Sequence, residues 1–338
     1  MIDFYSLALE HQEAHLLELA EKSLSSWNLS GKLTLIKHRE NAVYSLEASD
    51  GERYALRIHR VGYHSNEALK SELQWVNALK EYGLGVPKAL VTQNGDFFAL
   101  IKTESITDVR QVDLLAWVKG EQIGSIEEGL DTNPNQVREN YLIIGQQAAK
   151  LHNQSSTWTL PENFERHAWD TEALVGEKPF WGPFWELEAL TDEQKQRVIL
   201  ARDLVRQHLP VIGRNADDYS MIHADFVPEN ILVDGNTVEI IDFDDAGFGW
   251  HLFELATALY FIQEDPNYEI AKQAMIKGYR QLRDLSDDKL KHLSLFMLAR
   301  SFTYLGWVHT RSETETAKEL TPLLVEMSLK AIDEYMKK

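Results

Sequence analysis

The stretch that decides the fold runs from Met221 to Ala256 and reads MIHADFVPENILVDGNTVEIIDFDDAGFGWHLFELA. It contains a His, an Asp two residues later and an Asn five residues after that Asp. Two short apolar runs then flank Asp234-Gly235-Asn236, and this pattern predicts a tight β-hairpin. The hairpin leads to a second Asp, Asp242, seventeen residues after the first.

This set of polar residues suits phosphoryl transfer from ATP. One carboxylate can accept the proton of the attacking hydroxyl, while an amide oxygen and a second carboxylate hold Mg²⁺ against the phosphates. Pro228-Glu229 keeps the loop from becoming a helix, and the hairpin is expected to bring Asp242 back beside Asn230. A single His-x-Asp pair is commonly a turn with a satisfied carboxylate, so the prediction depends on the spaced elements together.

The segment resembles the aminoglycoside phosphotransferase and choline kinase superfamily, whose core is similar to that of eukaryotic protein kinases. The family pattern H-x-D-x-x-x-x-N, followed by I-D-[FW]-[DEG], is met at His223, Asp225, Asn230 and 241–244. The resemblance implies that Asp225 is the catalytic base and that Asn230, in the same catalytic loop, binds Mg²⁺ together with Asp242. It implies a supporting role in the loop for His223. The resemblance extends over most of the chain, from about Asn41 to Trp307.

The resemblance implies a bilobal, protein-kinase-like fold, and the patterns in the remaining sequence predict its α+β elements. Residues 1–118 form a nucleotide-binding lobe with a small antiparallel sheet and an N-terminal helix at 1–26. Residues 119–338 form a mostly helical lobe that holds the catalytic loop and the acceptor site. Further elements are predicted as strands between Lys32 and His59, a helix from Ser65 or Asn66 to Gly83, strands Phe97–Ile101 and Leu114–Val118, and helices Tyr141–His152, Thr191–Leu209 (ended by Pro210) and from about Leu252 to Lys338.

The first lobe offers candidate nucleotide-binding residues. Kinases place a Lys on the third strand, where it holds the phosphates and pairs with a Glu on the next helix. Arg57 occupies that position here, and Glu72 follows fifteen residues later. An alternative is that both are solvated surface residues. Asn41 lies in an N-x-V-Y element similar to the phosphate-covering turn of small-molecule kinases, although a plain hairpin turn is an alternative. Trp117 and Val118 would form the hinge that meets adenine.

The composition of the chain argues against some classes of binding partner. The chain has 338 residues, 34 Lys and Arg against 53 Asp and Glu, and a formal charge of −19. Such an acidic chain repels phosphate backbones and anionic lipid, so neither a nucleic acid nor a membrane is expected as a partner. There is no Cys, which excludes disulfides and a cysteine nucleophile. Acidic residues interrupt the first 22 residues, so we expect no signal peptide and a soluble, cytoplasmic protein. Composition does not indicate an oligomeric state.

The expected substrates are ATP and a small-molecule acceptor. Asp244, Asp245 and Glu254 extend the acidic run past Asp242, which favours a cationic acceptor, although Glu254 is better interpreted as bracing the loop. The Trp residues of 155–190, with Trp307, could line an acceptor pocket or pack in the core. The alternatives are a small-molecule kinase acting on a homoserine-, choline-, hydroxylysine- or aminoglycoside-like compound, a Ser/Thr protein kinase of the bacterial stress-response type, and a silent kinase-like binding protein.

Overall fold

The computed structural model describes residues 4–38, 41–104, 108–125 and 129–337, which divide into two units. The first unit comprises Met1–Gly120, Leu160–Glu165 and Val233–Ile241, and the second comprises Glu121–Thr159, Arg166–Leu232 and Asp242–Lys338. The sequence-based division between residues 118 and 119 did not assign the two short later segments to the first unit. Hydrogen bonds tie them there, from the Glu165 N–H to Ser71 Oγ (2.8 Å) and from the Ile240 N–H to the Gly85 oxygen (2.8 Å).

The first unit is built on a five-stranded antiparallel sheet. Its strands are β1 (Gly31–His38), β2 (Ala42–Ala48), β3 (Arg53–Ile58), β4 (Phe98–Ile101) and β5 (Arg110–Ala116), in the spatial order β1-β2-β3-β5-β4. Leu46, Leu56 and Leu114 are fully buried in the core of this sheet. The prediction placed the start of β5 at Leu114, which is wrong. The first half of β5 contains the polar residues Arg110, Gln111 and Asp113, so it lacks the apolar pattern by which a strand is predicted. Asp113 is nevertheless buried, because it forms ion pairs inside the first unit.

Two helices accompany the sheet. The first, α1 (Leu9–Ser23), is shorter than the predicted 1–26, and residues 1–3 lie outside the described part of the chain. The second, α2 (Asn66–Tyr82), begins and ends as its sequence predicts. Ser65 Oγ accepts a hydrogen bond from the Ala68 N–H (3.0 Å), and Gly83 ends the helix with a φ of 96°, a conformation that glycine adopts without a steric cost.

The second unit is mostly helical, which confirms the predicted α+β class. The remaining elements of the chain, of which β10 and the end of β9 belong to the first unit, are in order β6 (Glu121–Gln122), α3 (Pro134–Thr157), β7 (Ala168–Trp169), α4 (Thr171–Val175), α5 (Asp192–Ile212), β8 (Tyr219–Ile222), β9 (Ile231–Asp234), β10 (Thr237–Ile240), β11 (Gly247–Trp250), α6 (His251–Tyr260), α7 (Tyr268–Arg280), α8 (Asp287–Leu290), α9 (Leu293–Thr310) and α10 (Glu315–Met336). The hairpin of β9 and β10, with Gly235 at a φ of 59°, is as predicted. None of the helices that the structure describes is long and apolar enough to span a membrane.

Three predicted boundaries of α3 and α5 are wrong, one of them the end of α3, which continues past His152 to Thr157. Helix α3 begins at Pro134 rather than Tyr141, because its first two turns are polar and show no apolar period. Its signals there are the Asn133 side chain, which caps the Asn135 N–H (3.0 Å), and a proline at the first helical position. Helix α5 does not end at Pro210 but continues to Ile212, because a proline near the end of a helix disrupts little of the remaining hydrogen bonding.

Helices α3 and α7 approach each other through two glycines. A Cβ on Gly145 would lie 2.0 Å from the Met275 oxygen, and one on Gly278 would lie 2.1 Å from the Leu142 oxygen. Any larger residue at either position would therefore push the two backbones apart. This close pairing fixes the position of α3 within the second unit. There His152 of α3 lies 3.8 Å from Glu254 of α6.

Candidate active site

The backbone of the predicted catalytic loop is anchored by a buried carboxylate. The loop leaves β8 at His223, and Ala224 adopts a φ of 63°, which is unusual for a residue other than glycine. Glu254, in the first turn of α6, accepts hydrogen bonds from the N–H groups of both residues, each 2.7 Å long. Burial raises the pKa of Glu254 above its ordinary value, although His223 and the two hydrogen bonds act in the opposite direction. Glu254 thus braces the loop.

The loop folds back so that Asn230 meets Asp225. A short 3₁₀ turn at Pro228–Asn230 reverses the chain. Asn230 Nδ2 then donates to the Asp225 main-chain oxygen (2.9 Å) and to Asp225 Oδ2 (2.8 Å). His223 Nδ1 accepts from the Asp225 N–H (3.3 Å), a contact that suits a residue supporting the loop. The structure therefore brings together the predicted base and one predicted metal ligand, with 30% of the Asp225 side chain exposed.

Asp242 follows β10 in a strained backbone conformation. Its φ is 66°, and its side chain is exposed. Non-glycine residues in this region cost about 1 kcal/mol or more and occur frequently at functional sites. The next residues are held by a side chain that the sequence did not indicate. Arg166, which is buried, donates to the main-chain oxygens of Asp244 and Ala246, both at 2.6 Å. The strained turn is thus fixed from its carboxyl-terminal side.

The polar groups of this loop and turn fit a hard divalent cation. Asp225 and Asp242 supply carboxylate oxygens, and the nitrogen of the Asn230 amide is already committed to Asp225. The amide oxygen is therefore the atom that Asn230 presents to a ligand. Carboxylate and amide oxygens are the ligands that Mg²⁺ and Ca²⁺ prefer in proteins. The donor chemistry agrees with the predicted metal site.

The acidic run contributes less negative charge than its sequence indicates. Glu254 is fully buried and engaged with the loop backbone, and Asp244 is also buried. In addition, Arg300 of α9 lies beside the loop, with its Nη2 3.6 Å from Asp225 Oδ1. Asp242 and Asp245 remain as the acids of the run with greater exposure. The prediction of a cationic acceptor therefore depends on fewer carboxylates than the sequence suggests.

Two of the four Trp residues of the 155–190 segment pack inside the second unit. Trp169 is fully buried against Phe253, with ring centroids 5.7 Å apart, and its Nε1 donates to the Asp245 oxygen (2.9 Å). Trp181 is 6% exposed and contacts Tyr304. Of the two interpretations of these rings, core packing applies to Trp169 and Trp181. Trp158, Trp185 and Trp307 are half-buried.

In the first unit, Arg57 and Glu72 form a buried ion pair. Arg57 Nη2 lies 2.9 Å from Glu72 Oε1, and both side chains are inaccessible or nearly so. The alternative that the two are solvated surface residues is wrong. Asp113 joins them from β5, because it accepts from Arg57 Nε (3.0 Å) and Nη2 (2.7 Å). His59 Nε2 lies 2.7 Å from the same carboxylate.

Asp113 is the residue of this cluster that the sequence analysis missed. Burial would raise the pKa of its carboxyl, but Arg57 and His59 outweigh burial and hold the pKa below its ordinary value. The ionised Asp113 carboxylate accepts two hydrogen bonds from the Arg57 guanidinium. This bidentate geometry is available to Arg but not to Lys. The signal in the sequence was a lone acid between two hydrophobic residues of the strand, Val112 and Leu114.

The other predicted nucleotide contacts are on the first unit as well. Asn41 Oδ1 accepts from the Arg60 N–H (3.1 Å), so its side chain braces the end of β3, while Arg39 and Glu40 of the same turn lie outside the described residues. Trp117 and Val118 follow β5 and are half-buried, with the Arg53 guanidinium 3.7 Å from the Trp117 ring centroid. Their roles toward a nucleotide stay predictions.

Comparison with known proteins decides the family. The model of the phosphotransferase enzyme family (APH) matches residues 32–285, which is most of the chain. The chain belongs to this phosphotransferase family. It is a small-molecule kinase of that family, as its sequence predicted, and the matched residues include both the Arg57 cluster and the catalytic loop.

Several proteins that are similar to the chain carry kinase names. Amicoumacin kinase of Bacillus subtilis (strain 168) is 23% identical over 319 residues, which cover 91% of this chain and 88% of that protein. The structure of a microcompartment-associated aminopropanol kinase shares 28% identity and a TM-score of 0.82, covering 94% of this chain and 97% of the other. An amicoumacin kinase in complex with AMP-PNP, Ca²⁺ and Ami has a TM-score of 0.76 at 19% identity, covering 97% and 96%. These similarities confirm the kinase-like fold.

Proposed function

We propose that this phosphotransferase moves the γ-phosphoryl group of ATP to a hydroxyl group of a small, amine-bearing metabolite. The observation that carries the proposal is the pairing of Asp225 with Asn230 in a braced loop, because this pair places an ionisable carboxylate beside a candidate metal ligand. The strained Asp242 supplies a second carboxylate to the same unit. These are the components that phosphoryl transfer requires.

Asp225 would act as the catalytic base. Its carboxylate accepts the proton of the acceptor hydroxyl as that oxygen bonds to the γ-phosphorus. The bond from the γ-phosphorus to the β,γ-bridging oxygen breaks, and ADP leaves with that oxygen. The 2.8 Å contact with Asn230 holds Oδ2, which limits rotation of the carboxylate. A base held in this way needs less reorganisation when the acceptor arrives.

Asn230 and Asp242 would hold Mg²⁺. When bound, the ion neutralises charge on the phosphates and orients them for transfer. The support is the oxygen donor set described above, together with the amicoumacin kinase complex that contains Ca²⁺ and AMP-PNP. Hard oxygen ligands accept either ion, and Mg²⁺ is the ion that usually accompanies nucleotide phosphates.

The Arg57 cluster would bind the nucleotide phosphates, with Asn41 near the phosphates and Trp117 and Val118 at the adenine. Glu72 and Asp113 hold the Arg57 side chain in a fixed position, and an arginine stays charged at every physiological pH. Fixing a long cationic side chain in advance lowers the entropy lost when phosphate binds.

Two observations support an amine-bearing acceptor: the name of a structurally similar kinase and the acidic residues near the proposed base. Aminopropanol, after which the structurally similar kinase is named, carries an amine and a hydroxyl group. Asp245 provides a carboxylate to which an ammonium group would be attracted, whereas the charge of Asp242 would be offset by the Mg²⁺ that it would hold. The buried Arg300 offsets part of that charge, so we expect the preference for an amine to be modest.

The test is nucleotide turnover against matched acceptors. Purified protein is incubated with ATP or GTP, with Mg²⁺ or Ca²⁺, and with pairs such as 1-amino-2-propanol and 1,2-propanediol, or choline and 3,3-dimethylbutanol, at low and high salt. Homoserine, hydroxylysine and an aminoglycoside complete the panel. We expect ATP-dependent phosphorylation of an amine at a higher kcat/KM than of its neutral partner, with the difference decreasing at high salt. Equal use of both partners at both salt concentrations would contradict the amine, and no transfer to any acceptor would contradict the proposal.

A further inference from the structure

Arg300 is a buried cation beside the proposed base. It lies in the middle of α9, is completely inaccessible to solvent, and directs Nη2 toward Asp225 Oδ1 at 3.6 Å. The same Nη2 donates to the Tyr304 hydroxyl at 2.8 Å. Tyr304 is one helical turn further along α9, so the helix itself holds the guanidinium in place.

The surroundings of Arg300 are aromatic. Its guanidinium carbon lies 4.3 Å from the ring centroid of Tyr304, 5.3 Å from that of Trp181 and 5.4 Å from that of Phe253. Aromatic faces stabilise a cation but do not replace the hydrogen bonds that water provides. Among the residues that the structure describes, Nε and Nη1 of Arg300 have no hydrogen-bond partner.

Such an arginine is poorly explained by fold stability. Burying a guanidinium with two unsatisfied N–H groups is unfavourable, and an apolar side chain of similar volume generally serves the fold as well or better. A cation kept in this position therefore indicates a function that an apolar residue cannot perform. The carboxylates that interact with it are Asp225 and Asp245, both of which favour its protonated form, and the buried Glu254, whose pKa Arg300 lowers.

We infer that Arg300 is a positioning residue that holds the carboxylate of Asp225 in its reactive orientation, an inference that rests on the proposed role of Asp225 as base. The two oxygens of Asp225 face different partners. Oδ2 accepts from Asn230 Nδ2 at 2.8 Å, and Oδ1 faces the Arg300 guanidinium at 3.6 Å. A carboxylate that is hydrogen-bonded at one oxygen and attracted by a cation at the other has a preferred plane, which would keep one lone-pair direction available to the acceptor hydroxyl.

Tyr304 is the second member of this arrangement. Burial raises its pKa far above the ordinary value, although Arg300 acts in the opposite direction. The phenol is therefore neutral and accepts the Nη2 hydrogen bond without neutralising the guanidinium. The positive charge stays directed at Asp225.

Arg300→Met and Arg300→Lys test the inference, with Arg311→Met as the matched control. Arg311 is also a buried arginine, and its guanidinium lies 5.9 Å from the same Trp181 ring and 5.2 Å from Trp307. We expect Arg300→Met to lower kcat at least ~10-fold with the nucleotide KM within about 3-fold, while the melting temperature is unchanged or higher. Arg300→Lys is expected to recover part of the loss, and Arg311→Met to keep kcat within about 2-fold.

A double-mutant cycle separates this inference from the proposed function. If Arg300 acts through Asp225, Arg300→Met produces no further loss of kcat in an Asp225→Asn background. Full activity in Asp225→Asn alone overturns the proposed base. A large loss in Asp225→Asn with normal kcat in Arg300→Met overturns only the role of Arg300, as does a kcat loss that Arg311→Met reproduces.

A crystal structure of Arg300→Met gives a readout that needs no acceptor. The Asp225 carboxylate is expected to rotate away from its contact with Asn230 Nδ2. An unchanged contact at 2.8 Å would overturn the inference whatever the kinetics show.

Discussion

Asn230 donates two hydrogen bonds to Asp225, one to its main-chain oxygen and one to its carboxylate, so a single amide fixes both the backbone and the side chain of the proposed base. Asp225→Asn keeps the shape of the residue and can still present an oxygen to Asn230. Because only the basicity is lost, we expect kcat to decrease by about 10²-fold or more, with nucleotide affinity within about 3-fold of the parent value.

Steady-state kinetics and nucleotide titration measure the two quantities separately. Asp284→Asn, which removes an exposed carboxylate of the same unit, is the control and should leave both unchanged. A kcat close to the parent value in Asp225→Asn would show that another group accepts the proton.

The backbone of Asp242 determines which substitution tests its role. At a φ of 66°, an alanine would combine loss of charge with backbone strain, whereas asparagine tolerates this conformation. We expect Asp242→Asn to raise the divalent-ion concentration needed for half-maximal activity by about 10-fold or more, because one carboxylate charge is lost at a dication. A metal titration at saturating nucleotide measures this, with Asp234→Asn in the neighbouring hairpin as the control. An unchanged requirement would assign Asp242 a structural role.

The Arg57–Asp113 pair predicts a coupled loss of stability and nucleotide affinity. Asp113→Asn removes one of the carboxylates that pair with the buried Arg57, which should lower the free energy of unfolding by about 2–4 kcal/mol. The freed guanidinium should also raise the nucleotide KM several-fold. Urea denaturation and kinetics measure the two effects, and the exposed Asp50→Asn is the control.

The pH dependence of that loss has a definite sign. The folded pKa of Asp113 is below its ordinary value of 3.8, so its contribution is complete above that value and disappears as the pH falls through the folded pKa. The difference in unfolding free energy between the parent chain and Asp113→Asn should therefore become smaller as the pH falls from about 5 toward 3. A difference that stays constant over that fall would contradict the assignment.

Local patterns predicted much of the fold. The hairpin of β9 and β10 and the capped helix α2 follow from turn and cap residues, whose effects act over a few positions. The start of β5 and the start of α3 did not follow, because polar residues there interrupt the apolar period. Asp113 is buried only because Arg57 reaches it from another strand, a contact at a separation of 56 residues that no local pattern contains.

The same distinction applies to the site. Asp225, Asn230 and Asp242 could be proposed from the sequence because their spacing within one segment is itself the signal. Arg166, Arg300 and Asp113 were missed because each acts on the site from a distant part of the chain. A long-range partner becomes visible only when the tertiary contacts are known.

Gly145 provides a stability test of the α3–α7 pairing. In an exposed helix, replacing glycine with alanine generally stabilises by about 0.5–1 kcal/mol. At this position the new methyl group would lie 2.0 Å from the Met275 oxygen, so the two helices must separate. We expect Gly145→Ala to destabilise by about 1–3 kcal/mol or more, measured by urea denaturation. Lys150→Ala, at an exposed position of the same helix, should have little effect, and a more stable Gly145→Ala variant would contradict the observed packing.

Two stacked histidines lie beneath the catalytic loop. The rings of His152 and His251 are parallel within 12°, with centroids 4.1 Å apart. Burial lowers the pKa of both well below 6.5, Arg283 acts on both in the same direction, and His152 lowers that of His251 further. Each histidine has a hydroxyl partner at hydrogen-bond distance: the Tyr279 hydroxyl is 2.8 Å from His152 Nδ1, and the Ser220 hydroxyl is 2.8 Å from His251 Nε2. The Glu254 carboxylate lies 3.8 Å from His152 Nε2.

These histidines predict that stability falls on mild acidification. Both are neutral in the folded chain but take up protons near pH 6.5 when it unfolds, so the unfolded state binds more protons as the pH decreases. As the pH falls from 7.5 to 5.5, the protonation of each histidine in the unfolded state should lower the free energy of unfolding by roughly 1 to 1.5 kcal/mol. His152→Gln should remove about half of that pH dependence, whereas His11→Gln, an exposed control, should not change it. Urea denaturation at both pH values measures the free energy of unfolding of each variant. An identical pH dependence in the parent chain and in His152→Gln would mean that His152 is already protonated in the folded state.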